Sequence, residues 1–266
     1  MTGCLWEYER GVQVDFGTYK LDLHIHTVLS PCTEIADMTP RAVVRRALDL
    51  GLDVIAICDH NSARNAAACM RAAENKPLLV LPGLEITTSE EAHILGIFQG
   101  MGDAQSVQEE IYARLYGLND ENAFGVQVVA NEFDEVEDLD ERLLIGATTL
   151  SSERVTRLIH SHGGLAIASH VDRSGFGIFS QLGFIPDGLE LDALEVSPRT
   201  DFESVRKRFK QAKDYTLVTS SDAHYLEDIG KGYTEALLEK VSFQEICLAI
   251  AGRSNRRITR QVRSHD

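Results

Sequence analysis

Apolar residues are not spread evenly along this chain. From Lys20 onward, short apolar runs of strand length alternate with stretches whose apolar positions recur three and four residues apart, the signature of repeated β/α units and a mostly parallel sheet. Strands are predicted over Leu21 to His26, Val54 to Cys58, Leu78 to Leu81, Ala92 to Phe98, Leu165 to Ser169, Ala193 to Val196 and Thr216 to Thr219. Seven strands of this kind favour a closed or nearly closed α/β barrel. Thr39 is a predicted N-cap, with Pro40 at the first helical position, Val43, Val44, Ala47 and Leu48 on one face, and Gly51 at the end. Val155, Leu158 and Ile159 predict a second helix closed by Gly163 and Gly164, and Ser242 with Glu245 predicts a capping box ahead of a last helix.

Two stretches break the alternation. Residues 119–142 carry nine acidic residues and one basic residue around the strand-like run Val126 to Ala130. They read as a solvated insertion with hairpin character, and a lid over the active site is the sharper alternative. Residues 253–266 read as a polar tail that frays, beyond a single domain with its core at about residues 20–252.

The histidines carry the chemistry. Six of nine lie within or just after an apolar strand. A period of two puts His24 and His26 on one strand face, where two imidazoles can converge on one metal. Asp222 and His224 repeat that spacing after Leu217 to Thr219, and Asp59-His60 and His170 each follow a strand. Glu85 follows the Pro82-Gly83 bend, and His93 lies within Ala92 to Phe98. Strand C-termini share one mouth in an α/β barrel, so His24, His26, His60, Glu85, His93, His170, Asp222 and His224 are expected to meet there. Neutral imidazoles with a few carboxylates suit Zn, Mn or Fe, with a carboxylate bridging two ions. Asp59 and Asp22 are candidates to orient ligand imidazoles. His160, His162 and His265 fall outside the set.

Charge narrows the substrate. The 266 residues include 41 Asp and Glu against 26 Lys and Arg, a formal net charge of −15, which argues against gripping nucleic acid through a broad basic surface. No apolar run is long enough to span a membrane, and Met1 to Arg10 lack the apolar core of a secretory signal. Five cysteines without a CxxC pair fit a reduced, cytoplasmic chain.

Taken in order, Asp22-Leu23-His24-Ile25-His26-Thr27, Ile57-Cys58-Asp59-His60-Asn61, Pro82-Gly83-Leu84-Glu85, His93-Ile94-Leu95-Gly96, Ser169-His170 and Ser221-Asp222-Ala223-His224 resemble the motifs of the polymerase and histidinol phosphatase (PHP) superfamily. The resemblance covers about residues 20–250 and implies a distorted (β/α)7 TIM-like barrel with two to three divalent ions at the C-terminal ends of its strands. It implies one ion on His24, His26, Glu85 and Asp222, and a second on Glu85, His93 and His170, with Glu85 as the bridge. A third would take His60 and His224 together with Cys32, which stands where relatives often carry His. A thiolate there would favour Zn or Fe over Mn.

The implied reaction is hydrolysis of a phosphate ester by a metal-bridged hydroxide. Glu85, Asp222, His224 and Arg173 are the expected catalytic residues. Arg64, Arg173, Arg199 and Lys231 are the expected substrate cations, and Ser197 is a weaker phosphate contact. Because the ions would make the mouth locally positive, the expected substrate is a small phosphorylated metabolite, and the expected enzyme a phosphatase without an extended nucleic-acid surface. The alternatives are a 3′–5′ exonuclease or oligonucleotide phosphodiesterase, and a non-catalytic metal-binding regulatory module. The oligomeric state stays open.

Overall fold

The computed structural model describes residues 15–34 and 36–263. Cys4, His265 and the expected lack of a signal at Met1 to Arg10 lie outside the described residues. Eleven strands are present: β1 Gly17–Ile25, β2 Val54–Ile57, β3 Leu79–Thr87, β4 His93–Ile97, β5 Val128–Ala130, β6 Val136–Leu139, β7 Leu165–Ala168, β8 Ala193–Glu195, β9 Thr216–Val218, β10 Tyr233–Leu238 and β11 Arg257–Val262. The helices are α1 Pro40–Asp49, α2 Ala66–Ala72, α3 Met101–Tyr112, α4 Glu121–Phe124, α5 Ser152–Ser161, α6 Ile178–Gln181, α7 Phe202–Arg208 and α8 Phe243–Ile250. None is long and apolar enough to cross a membrane.

Nine strands form one sheet in the order β11-β10-β1-β2-β3-β4-β7-β8-β9. All seven predicted strands are in it, and the sheet curls into a nearly closed barrel. The closure is made by the segment after β9, which lies along β1: Ile25 and Ala223 form a parallel bridge, and His26 N–H donates to Ala223 O at 3.1 Å. Asp22, expected to orient an imidazole, instead clips this seam by accepting from Ser221 N at 2.9 Å and Gly230 N at 3.1 Å. Burial leaves its carboxyl pushed up to about 7 despite those bonds.

The sheet is not uniformly parallel. β4 runs antiparallel to both β3 and β7 because residues 88–92 provide only a tight turn, too short for a parallel crossover. His93 therefore reaches the common mouth from the N-terminal end of its strand, not the C-terminal end. Inside the barrel, Leu21, Leu23, Val54, Ala56, Leu81 and Ile167 pack together, while α1 and α2 cover Ile55 and Ile57 from outside. Gly83 is required by space: a Cβ there would lie 2.8 Å from Cys58 Sγ and 2.9 Å from Gly96 O.

Helix ends follow the sequence with small differences. Thr39 has extended geometry ahead of Pro40, but its side chain makes no cap bond. Ser242 Oγ accepts from Glu245 N, whereas the Glu245 carboxylate turns to Glu239 N and Arg256. Residues 253–266, expected as a fraying tail, include β11, which pairs antiparallel with β10. One edge of its backbone is satisfied by pairing with β10, a possibility hidden by its polar side chains.

The acidic stretch 119–142 folds as α4 and the β5–β6 hairpin. Val128, Val129 and Ala130 are buried, and β6 is exposed along its length. Asn65 anchors β5 through Nδ2 to Val128 O at 2.9 Å and Oδ1 from Ala130 N at 3.0 Å.

Candidate metal centre

His24 belongs to β1, and His26 follows an irregular step in its register with β2. Their Nε2 atoms are 3.1 Å apart. Hydrogen bonding sets both tautomers. His24 Nδ1 faces Glu195 Oε2 at 3.0 Å, and a carboxylate there takes a proton donor. His26 Nδ1 faces Ser30 Oγ at 3.0 Å, but the Ser30 hydroxyl proton is committed to Asp59 Oδ1 at 2.7 Å, so Ser30 accepts from His26. Neutral rings would therefore present two bare Nε2 lone pairs to each other and to Asp222 Oδ1, at 3.3 and 3.2 Å. Acceptors converge in this way around a cation.

Glu85 sits at the centre of a ring of imidazoles. Its Oε1 lies 2.8 Å from His93 Nδ1, 3.1 Å from His170 Nε2 and 3.4 Å from His24 Nε2. Its Oε2 lies 3.1 Å from His60 Nδ1 and 3.4 Å from His26 Nε2. Burial alone would raise its pKa, yet the facing His93 and His24 hold the carboxyl well below the usual range. Burial likewise opposes the charge on Asp222, but His24 and His26 hold it well below its ordinary value.

Three groups have donor atoms within 4.8 Å of one another: His24, His26, Glu85 and Asp222; His60, Glu85 and His93; and His26, His60 and His224. The first has the composition expected for one ion. In the second, His60 joins Glu85 and His93, while His170 touches Glu85 from the side. Beside the third, Cys32 Sγ is 3.3 Å from His60 Nε2. Burial opposes its ionisation, but bonds to His224 and His60 bring the thiol down to about 6. This donor set fits divalent ions in kind and placement.

Several supports were not assigned from sequence. Glu195, buried in β8, holds His24 Nδ1 and the His170 amide, at 3.1 Å. Its signal was an acidic residue inside the apolar run Ala193 to Val196. Asn61, with φ +50°, ties the turn after His60 to Leu144 O and Gly146 O at 2.8 Å. Asp59, expected beside an imidazole, acts through Ser30 and Thr27.

A cavity of about 590 Å³ opens at the cluster, lined by His60, Glu85, His93, His170, Asp222 and His224. Arg173 and Arg199 line it too, and Arg173 Nη1 donates to Asp222 Oδ2. Arg64 is elsewhere, committed to Asp138 and Asp140 of the acidic insertion at 2.8 and 3.2 Å, and Lys231 pairs with Asp228 at 2.7 Å. Neither belongs to the cavity lining, so of the four expected substrate cations the structure brings only Arg173 and Arg199 to this cavity. Ser197 lines the wall with its hydroxyl bonded to Asp172 at 2.6 Å. The 119–142 insertion contributes no residue to the lining of this cavity.

The PHP domain family model matches residues 22–216, and a PHP-associated model matches 206–254. The chain belongs to the PHP family. PHP phosphoesterases are metal-dependent, and the cluster of His, Glu and Asp side chains described above is of that kind. Among curated relatives, Bacillus subtilis YqxK is 31% identical over 121 residues, 41% of this chain and 31% of that protein. The Haemophilus influenzae 5′-3′ exoribonuclease is 32% identical over 83 residues, 30% of this chain and 29% of that one. The alignments thus span about a third of each relative's length. The fold is shared with endonuclease Q of Pyrococcus furiosus, at a TM-score of 0.69 and 16% identity over 92% of this PHP chain and 58% of that chain. A second endonuclease Q structure, at a TM-score of 0.67, 16% identity, and 92% and 59% coverage, is a complex with a 27-mer duplex carrying an abasic lesion at its active site. These neighbours overturn the expectation of a small phosphorylated substrate and of no extended nucleic-acid surface. Net charge is a sum over the whole surface and does not report where cations are gathered.

Metal loading of this PHP centre should depend on pH. Burial opposes protonation of His24, yet Glu195, Asp222 and Glu85 raise its pKa well above the ordinary value, and contacts with Cys32 and Glu85 raise His60 to about 10 against the same burial. Metal-free rings then carry protons that a cation must displace, so affinity rises with pH. Calorimetric titration of Mn²⁺ or Zn²⁺ at neutral pH, in buffers of different ionisation enthalpy, should register release of about one proton or more per ion. Binding without proton release would contradict protonation of His24 and His60 in the metal-free centre.

Proposed function

We propose that this protein is a metal-dependent phosphodiesterase acting on nucleic-acid strands. The observation that carries this reading is Phe176. Its ring stacks on His93 with centroids 4.5 Å apart and an interplanar angle of 20°, yet it stays 45% exposed where it lines the metal cavity. Its φ is +58°, a strained backbone for a bulky residue that calls for compensation. An exposed aromatic face beside Arg173 and Arg199 matches a nucleobase flanked by backbone phosphates. The short match to a 5′-3′ exoribonuclease supports the same substrate class.

In this reading one ion would be held by His24, His26, Glu85 and Asp222, a second by His60, Glu85 and His93 with His170 adjacent, and a third by His224 and Cys32 beside His60, because a neutral imidazole offers one lone pair to one ion. Bound ions supply Lewis acidity toward phosphate oxygens and lower the pKa of water. Glu195 and Ser30 hold the Nδ1 protons of His24 and His26, so that each Nε2 is the atom turned toward an ion. Phe176 orients the base, and Arg173 and Arg199 face the neighbouring phosphates. A diester is preferred to a monoester because base and flanking phosphates are then recognised together.

The test is incubation of end-labelled DNA and RNA strands with the protein and Mn²⁺ or Zn²⁺, alongside p-nitrophenyl phosphate. Cleavage of strands is expected. Hydrolysis of the monoester with no strand cleaved would overturn the reading. Phe176→Ala should raise KM for a strand about tenfold, since base stacking contributes roughly 1–3 kcal/mol per base. Turnover of bis(p-nitrophenyl) phosphate, which has no nucleobase, is the comparison, and an equal loss on both substrates would speak against stacking.

A further inference from the structure

The barrel closes over its active end through the segment after β9, but the other end of that seam stays open. β11 pairs only with β10, and β9 only with β8, among the described strands. Between their free edges lies a second cavity of about 560 Å³, floored by Thr216 and Leu217 and rimmed by Arg206, Lys213, Arg257 and Arg260. All four rim cations are exposed, and none forms an ion pair among the described residues; Asp214 alone on this rim is acidic. Residues 206–213 and 253–263 together hold ten of the chain's 26 Lys and Arg and no Asp or Glu. In a chain of net charge −15, such segregation creates a local positive field that the total conceals.

This cavity adjoins the metal centre through one side chain. Gln261, on β11, donates from Nε2 to Thr200 O at 2.8 Å and to Thr219 Oγ1 at 2.8 Å, and its Oε1 accepts from Phe202 N at 3.0 Å. Arg199 and Thr200 line the metal cavity, while Phe202 and Gln261 line the basic one. A strand leaving the metal centre past Arg199 thus meets the basic rim next.

We propose that the β9–β11 seam is a docking track for the sugar-phosphate backbone of the substrate strand beyond the scissile bond. This rests on the nucleic-acid reading above. The rim offers four exposed cations suited to phosphate oxygens, and contacts of that kind position a strand without reading its sequence. Cleavage at the metal centre then favours long strands over short ones.

The test measures binding of a fluorescein-labelled phosphorothioate strand of about 20 nucleotides by anisotropy, across about 50 to 200 mM salt. The full chain is compared with the triple variant R206S, R257S, R260S. A control triple, R45S, R154S, R157S, removes the same charge elsewhere, and thermal melts verify that both fold. The seam variant should bind at least about tenfold more weakly at low salt, with its log–log salt slope shallower by about two, while the control shifts little. Equal losses in both triples would reduce the effect to net charge and overturn the seam. Unchanged binding by a folded seam variant would overturn it too, leaving the phosphodiesterase reading intact. Failure of the unmodified protein to bind or cleave any strand would defeat that reading itself, and the seam with it.

Discussion

Replacing Glu85 with Gln should lower turnover of any phosphate ester by about three orders of magnitude or more, with the barrel still folded. Gln keeps the volume of the side chain, so the buried neighbours need not move. It loses the charge, however, and gains an amide NH₂ that points two donors into a space ringed by five imidazole nitrogens at 2.8 to 3.4 Å. Glu85 belongs to two of the three donor groups, so both should lose affinity together. Metal analysis of the purified variant should then show a fall of about two ions relative to the unmodified protein. A variant that holds its metals and keeps activity within tenfold would remove Glu85 from the centre of the mechanism.

Much of this site is legible in sequence because its ligands hang on short local patterns. His24 and His26 are two residues apart on one strand, and Asp59-His60, His170 and Asp222-His224 each follow an apolar run. Parts that depend on distant partners are not legible. Arg64 looks like a free cation until Asp138 and Asp140, far along the chain, come to meet it. Glu195 reads as one polar position in a strand until β8 is placed beside β1's imidazoles. The reversed direction of β4 follows from a short turn, which apolar periodicity does not encode. Net charge misled for the same reason: it averages an acidic hairpin with the basic seam beside β11.

A second large effect is expected from Asp222→Asn, and it should differ in kind from the loss of Glu85. Asp222 has a φ of +50°, a left-handed conformation that Asn tolerates far better than Ala, so the loop closing the barrel should survive. What changes is charge. Oδ1 faces His24 Nε2 and His26 Nε2 at 3.3 and 3.2 Å, and Oδ2 accepts from Arg173. Asn either turns its NH₂ toward the imidazoles, where it opposes a cation, or turns it toward Arg173, where donor meets donor. Asp222 enters only the first donor group, so the His60, Glu85 and His93 set should keep its ion. Turnover should fall by about two to three orders of magnitude while metal content drops by about one ion. Asp222→Ala should add a loss of thermal stability of about 1 kcal/mol, because Ala resists the positive φ. An unchanged metal count in a folded, inactive Asp222→Asn protein would reassign Asp222 from holding a cation to positioning Arg173, and strand-length dependence of the residual rate would then be the measurement to follow.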